Sequence, residues 1–134
     1  MSSWLHRLGV GVFLGFVAAC APASAQDAES DCRDGTEPAQ VIEGCTQTLD
    51  PYGKPVWALI RRGHALLDDG QIEAGNADAN LAVRAAAKNS DAHALLGRAL
   101  RDAGDYDAAL KSFDRAIALD NDNATAFFYR AQLH

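Results

Sequence analysis

The strongest constraint on the fold is an internal repeat. "RRGHALLDDGQI" at 61–72 aligns without a gap on "LLGRALRDAGDY" at 95–106. Gly63 and Gly97, Leu66 and Leu100, Gly70 and Gly104, and Ile72 and Tyr106 each stand 34 residues apart. One more step of 34 takes Gly97 to Ala131. Apolar residues at helical spacing flank both the Gly70-Gln71 and Gly104-Asp105 junctions, so the period describes helix, tight turn, helix, repeated. Such units bury their apolar sides only by stacking on one another.

The unit from Ser90 to Asn123 resembles a tetratricopeptide repeat (TPR), whose pattern runs W-x2-L-G-x2-Y, then A-x3-F, A and P. His93, Leu96, Gly97, Leu100, Tyr106, Ala109, Phe113 and Ala116 occupy the signature places. His93 and Leu100 replace aromatics there, and Asn121 replaces the proline. The unit before it, Val56 to Asn89, keeps Gly63, Leu66, Gly70 and Ala82 but has Gly75 and Ala79 where Ala and Phe are usual. From Ala124 the chain supplies Phe127, Phe128, Tyr129 and Ala131 for one further first helix. Counting back 34 from Ala79 lands on Cys45, which puts Pro38 to Leu49 in phase with the second helices, although Gly44 is a poor helix former.

The resemblance implies an all-α, TPR-like solenoid of antiparallel helix hairpins, with about two full repeats and partial units at each end. The units read as 56–89, 90–123 and a partial 124–134, preceded by a segment at 26–55 holding a degraded half repeat. Helices cross at about 8–10 Å, and the closest crossings tolerate only small side chains. Gly63 is therefore expected to face Gly75 and Ala82, and Gly97 to face Ala109 and Ala116.

Met1 to Ala25 reads as a secretion signal. Arg7 closes a short basic start, Leu8 to Ala19 is apolar, and Ala23-Ser24-Ala25 supplies small residues for cleavage before Gln26. A membrane-spanning helix needs about 20 apolar residues, more than this run supplies. Val17-Ala18-Ala19-Cys20 also resembles a bacterial lipobox, with Val where Leu is usual, so acylation of Cys20 is the alternative processing. Either route leaves Cys32 and Cys45 as an even pair in an oxidising compartment, for which a disulfide is the default. The TPR phase brings those two positions together across the hairpin, and closing a 13-residue separation stabilises by about 3 kcal/mol on the chain-entropy model.

Arg7 is the one charged residue of the first 25, so its removal takes the formal charge from −6 to −7. That excludes the clustered positive charge that nucleic acid requires. His64, His93 and His134 lack close metal spacings, and no Gly-rich phosphate loop or nucleophile elbow occurs. Asp120-Asn121-Asp122-Asn123 lacks the glycine and closing glutamate of a calcium loop, and reads as a turn that caps the next helix. No cofactor and no metal is expected.

In TPR proteins the ligand usually lies along the concave face of the first helices. Carried over by position, the resemblance implies partner-binding residues Trp57, Ile60, His64, Leu67, Asp91, Arg98, Arg101 and Phe128. The Lys and Asn pattern that clamps acidic chain ends in one subgroup is missing. Arg98 and Arg101 have a competing role as a solvated face paired with Asp102 or Asp105, and Trp57 a competing role in packing. The expected function is a non-catalytic scaffold in the periplasm, or secreted, that binds a protein or peptide. The alternative is a structural subunit anchored to the membrane through Cys20. The apolar helix at 124–134 is expected to self-associate, receive a partner or continue into a longer chain.

Overall fold

A computed structural model describes residues 24–49 and 55–133. Among them the chain forms seven α-helices and no strand: α1 (Ala25–Asp34), α2 (Pro38–Thr48), α3 (Val56–Asp68), α4 (Ile72–Ala85), α5 (Ser90–Asp102), α6 (Tyr106–Leu119) and α7 (Ala124–Ala131). This is the all-α, TPR-like solenoid, and the 34-residue offset carries α3 onto α5 and α4 onto α6 end for end.

Local chemistry sets those boundaries. Asn89, Asp105 and Asn123 cap α5, α6 and α7, each side chain accepting from a backbone N–H of the first turn. The expected cap at the end of the Asp120–Asn123 run is thus Asn123. Gly70 and Gly104 end α3 and α5 with φ of 78° and 88°, a conformation that costs a glycine nothing. The residue after each donates back five positions, Gln71 to Leu66 at 2.8 Å and Asp105 to Leu100 at 2.9 Å, which satisfies the last carbonyls of the helix. Pro38 starts α2 at a position where no N–H is needed.

The region before Val56 is a complete hairpin, α1 against α2, where half a repeat was expected. Its first helix shows only Ala28 and Cys32 as buried positions, too thin a pattern to announce itself. The hairpin is held at its centre, where Cys32 and Cys45 are wholly buried with Cα atoms 4.5 Å apart and sulfurs at bonding distance. Gly44 is required there, because a Cβ would stand 2.7 Å from the Cys32 nitrogen. Arg61 of α3 closes the hairpin from outside, donating to the Cys32 and Gly35 carbonyls at 3.2 and 2.8 Å. Helix α1 also begins at Ala25, with Ser24 as its cap, inside the stretch read as a signal. The remaining signal residues and Cys20 lie outside the described residues.

Glycines make the expected close approaches, with different partners. A Cβ on Gly75 would come 3.3 Å from the Gly63 carbonyl, so those helices do meet there. A Cβ on Gly63, however, would meet Leu95 of the next unit at 2.6 Å, and one on Gly97 would meet the Phe113 ring at 2.6 Å. Each first-helix glycine makes room for a large side chain, where small ones were expected opposite. Ala79 stands where Phe113 stands one repeat later, so in the earlier unit Leu95 fills the space an aromatic would take.

Candidate functional site

The backbones of successive first helices approach one another, α1 with α3, α3 with α5 and α5 with α7, to Cα distances within 8 Å, whereas those of successive second helices stay farther apart. Close approach on one side and splaying on the other curves the stack, with first helices inside. The inner face is therefore the place to examine, and its residues divide into those that bind the stack together and those left open.

Arg98 belongs to the first group. It is 8% exposed, and its guanidinium spans two units: Nη2 donates to Asp68 of α3, Nη1 approaches His64 Nδ1 at 3.1 Å, and Nε lies 3.7 Å from Asp102. Its expected partners on the solvated-face reading were Asp102 or Asp105; the main one is Asp68, one repeat back. Because Arg98 can only donate, His64 Nδ1 must accept, which places the imidazole hydrogen on Nε2. Burial, reinforced by the Arg98 charge, pushes the His64 pKa down to about 4, against a weaker upward pull from Asp68 and Asp91.

Arg101 continues the row. It pairs with Asp102 at 2.7 Å, donates to Gln132 of α7, and lies 4.7 Å above the Tyr129 ring. Tyr129 also stacks on Phe113 at 6.3 Å, so one aromatic joins the core of the second repeat to the polar inner face. Beside Arg101 a recess of about 550 Å³ opens, lined by Arg101, Asp102, Tyr106, Gln132 and Leu133.

The other positions separate. Asp91 is exposed and accepts from Asn123 at 3.0 Å, while Ile60 and His64 are half-buried. Trp57 packs on the α1–α2 core with the Arg33 guanidinium 4.1 Å over its ring. Leu67 is not on the open face: it is 6% exposed and turned against Gly75, whose missing side chain leaves it room. Phe128 is 59% exposed, but its counterpart Ala94 is wholly buried in the α5–α6–α7 core, which puts Phe128 on the end of the stack and out of the row with Arg101.

Two residues that composition could not single out hold the outer side. Arg62 grips buried Asp78 with two 2.7 Å hydrogen bonds between α3 and α4, and reaches Thr46 of α2 at 3.2 Å. The hydrogen bond to Asp78 is the main cause that raises the Arg62 pKa further. The Arg98 and Arg101 charges of the inner face are matched by Asp68 and Asp102, whereas Asp91 meets only the neutral Asn123 amide. Among the described residues no group of three His, Cys, Asp or Glu could hold a metal ion, and no helix is long and apolar enough to cross a membrane.

This stack of capped, glycine-spaced hairpins defines a tetratricopeptide repeat protein in fold. Residues 97–134 match the family model for the TPR repeat. The chain is 32% identical over 113 residues to tetratricopeptide repeat protein 37 of Xenopus laevis, and 33% identical over 106 residues to superkiller complex protein 3 of Mus musculus. Those stretches cover 84% and 79% of this chain but 7% of each relative. The TPR domain of Arabidopsis OM64 superposes with a TM-score of 0.71 at 19% identity, covering 82% of this chain and 93% of that one, which shows the shared fold.

Proposed function

We propose that this chain is a non-catalytic scaffold that holds a protein or peptide segment along the inner face of its first helices, in an exported compartment. The observation that carries this reading is the closer backbone approach of first helices than of second helices, which makes the inner row a concave strip. There Ile60, His64, Asp91, Arg101 and Gln132 present donors, acceptors and apolar surface to an extended or helical segment. The likeness to a protein named as part of a complex supports partner binding. A neutral His64 engaged by Arg98, outside the recess beside Arg101, is poorly placed to act as a catalytic base. Capture of envelope proteins on immobilised chain tests the groove. A partner retained by the parent and by Phe128→Glu, yet lost by Arg101→Ala with Gln132→Ala, supports it; equal capture by all three removes it.

The signal-like start at Met1 to Ala25 supports export, and in that compartment Cys32 and Cys45 form a disulfide. Intact mass of the mature chain tests both: a start at Gln26, without acyl mass and two hydrogens lighter than the reduced form, is the expected result.

Ser24 favours a second reading. It caps α1 through a reciprocal pair with Asp27, its Oγ accepting from the Asp27 N–H at 3.2 Å and its own N–H donating to the carboxylate at 3.1 Å. Cleavage after Ala25 removes a cap worth about 1 kcal/mol, whereas cleavage before Cys20 keeps it. Lipid anchoring through Cys20 predicts acyl incorporation that Cys20→Ser abolishes; an unacylated chain starting at Gln26 excludes it.

A further inference from the structure

On the outer side of the stack, away from the first-helix row, α2 and α4 flank a groove of about 430 Å³. Both helices run antiparallel to α3, and their backbones stay more than 8 Å apart, so α3 forms the floor between them. Leu66 and the Arg62–Asp78 pair line that floor, with Ile42 and Thr46 on one wall and Ala74, Ala77 and Leu81 on the other. Ala74 and Ala77 are exposed, whereas Ile42 and Leu81 are half-buried, each with one side packed on the core. No described residue outside these three helices lines the groove.

The repeat itself shows what the fold requires at these positions. One period on, Ile42, Ala77 and Leu81 become Asn76, Lys111 and Arg115, so the corresponding walls on α4 and α6 are polar and basic. The floor position is leucine in both, Leu66 and Leu100. Aliphatic walls are thus not a condition for stacking second helices on a first helix. A groove with such walls, and with alanines where another backbone can come close, has the form that receives the apolar stripe of a helix.

Charge selects the kind of helix. Within 24–49 stand Asp27, Glu29, Asp31, Asp34, Glu37 and Glu43 against Arg33 alone, a formal charge of −5. Arg33 is taken by Glu29, and Arg62 in the floor by Asp78. Glu43, next to Ile42, and Glu73, next to Ala74, are exposed and form no ion pair among the described residues. Arg84 stands apart, in the last turn of α4. The rim therefore keeps unmatched negative charge on both walls, which attracts a basic partner.

We propose that this groove receives an amphipathic helix of another protein, its aliphatic stripe against Ile42, Leu66, Ala77 and Leu81 and its lysine or arginine flanks towards Glu43 and Glu73. The site is separate from the first-helix row and does not rest on partner binding there.

Fluorescence anisotropy on the purified chain tests the groove with a labelled helical peptide of about 18 residues, leucine at i, i+3, i+4 and i+7 and lysine elsewhere. The expected result is micromolar binding that Ala77→Lys weakens by about tenfold. Ala77 faces solvent, so this variant should melt with the parent. Ile42→Asn with Leu81→Arg, which installs the side chains of the corresponding walls, should weaken binding as much, whereas Arg101→Ala with Gln132→Ala should bind like the parent. Glutamate in place of the peptide lysines should cost at least about tenfold, as should scattering its leucines off the stripe. Equal binding by the parent and Ala77→Lys, or of the striped and scattered peptides, overturns the groove. Equal binding of the lysine and glutamate peptides overturns the basic partner, and a parent chain that binds none of the peptides overturns the proposal.

Discussion

Gly97 lies directly under the ring of Phe113: a Cβ built on the glycine would stand 2.6 Å from two ring carbons. The ring is fully buried and cannot swing into solvent. Gly97→Leu is expected to destabilise the chain by about 1–3 kcal/mol through overpacking. Phe113→Ala alone should cost about 3–5 kcal/mol by opening a cavity. The double variant should cost less than the sum, because the new leucine enters the space the ring left. Urea titrations of the four proteins check this; strict additivity would separate the two residues.

At Gly104 the penalty is of another kind. Nothing stands within 4 Å of a Cβ there, but φ is 88°. Gly104→Ala should therefore cost about 1–2 kcal/mol in backbone conformation alone, and Gly104→Asn less, since asparagine tolerates this region better. Equal melting temperatures for the two variants would contradict a torsional origin.

His64 gives the stack a pH dependence whose sign is fixed. Its folded pKa of about 4 lies below the unfolded value of about 6.5, so the unfolded chain takes up the proton first. The stability it contributes is complete above about pH 6.5 and is lost as pH falls towards 4. Carboxylates begin to titrate below about pH 5, so the clean window is 6.5 to 5, where about 2 kcal/mol should disappear. Urea midpoints across that window should fall for the parent chain and stay nearly flat for His64→Gln.

Arg62 and Asp78 form an asymmetric pair, with side chains 21% and 4% exposed. Arg62→Ala strands the carboxylate in the interior and should cost about 3–5 kcal/mol. Asp78→Ala strands an arginine that can still reach water, and should cost nearer 1.5–3 kcal/mol. Glu29→Ala, which breaks an exposed pair with Arg33, should change stability by less than about 1 kcal/mol. Thermal denaturation ranks the three, and a larger loss for Asp78→Ala than for Arg62→Ala would refute the burial argument.

What could be read in advance follows from what a linear pattern records. Glycines at φ > 0, capping Asn and Asp, and apolar residues on a 34-residue period are local signals, and they gave the helix, turn, helix order of α3 to α7 with its turns at Gly70 and Gly104. Helix α1 was only half legible, because it buries two residues and is polar elsewhere. The partners of the inner arginines were legible in part: Asp102 pairs with Arg101 at 2.7 Å as expected, but the main partner of Arg98 was not. Arg98 finds Asp68 thirty positions away in place of Asp105, because the contact depends on how far α5 slides along α3, which no spacing within either helix encodes. Two of the expected inner-face residues also lie elsewhere. Leu67 and Phe128 occupy positions that are open in an average repeat, but Gly75 draws one inward and the end of the stack leaves the other on a different side.

The arginine bridges have a consequence for how the chain comes apart. Arg61 ties α3 to the end of α1, Arg98 ties α5 to α3, and Arg101 ties α5 to the end of α7, so among the described residues each pair of successive first helices is bridged by at least one guanidinium. In a stack where each hairpin meets only its neighbours, these crossings set how far order propagates. Melting should therefore proceed like a zipper released from its ends. Replacing Arg98 should split one transition into two, the first hairpins surviving as a unit after the last ones have gone.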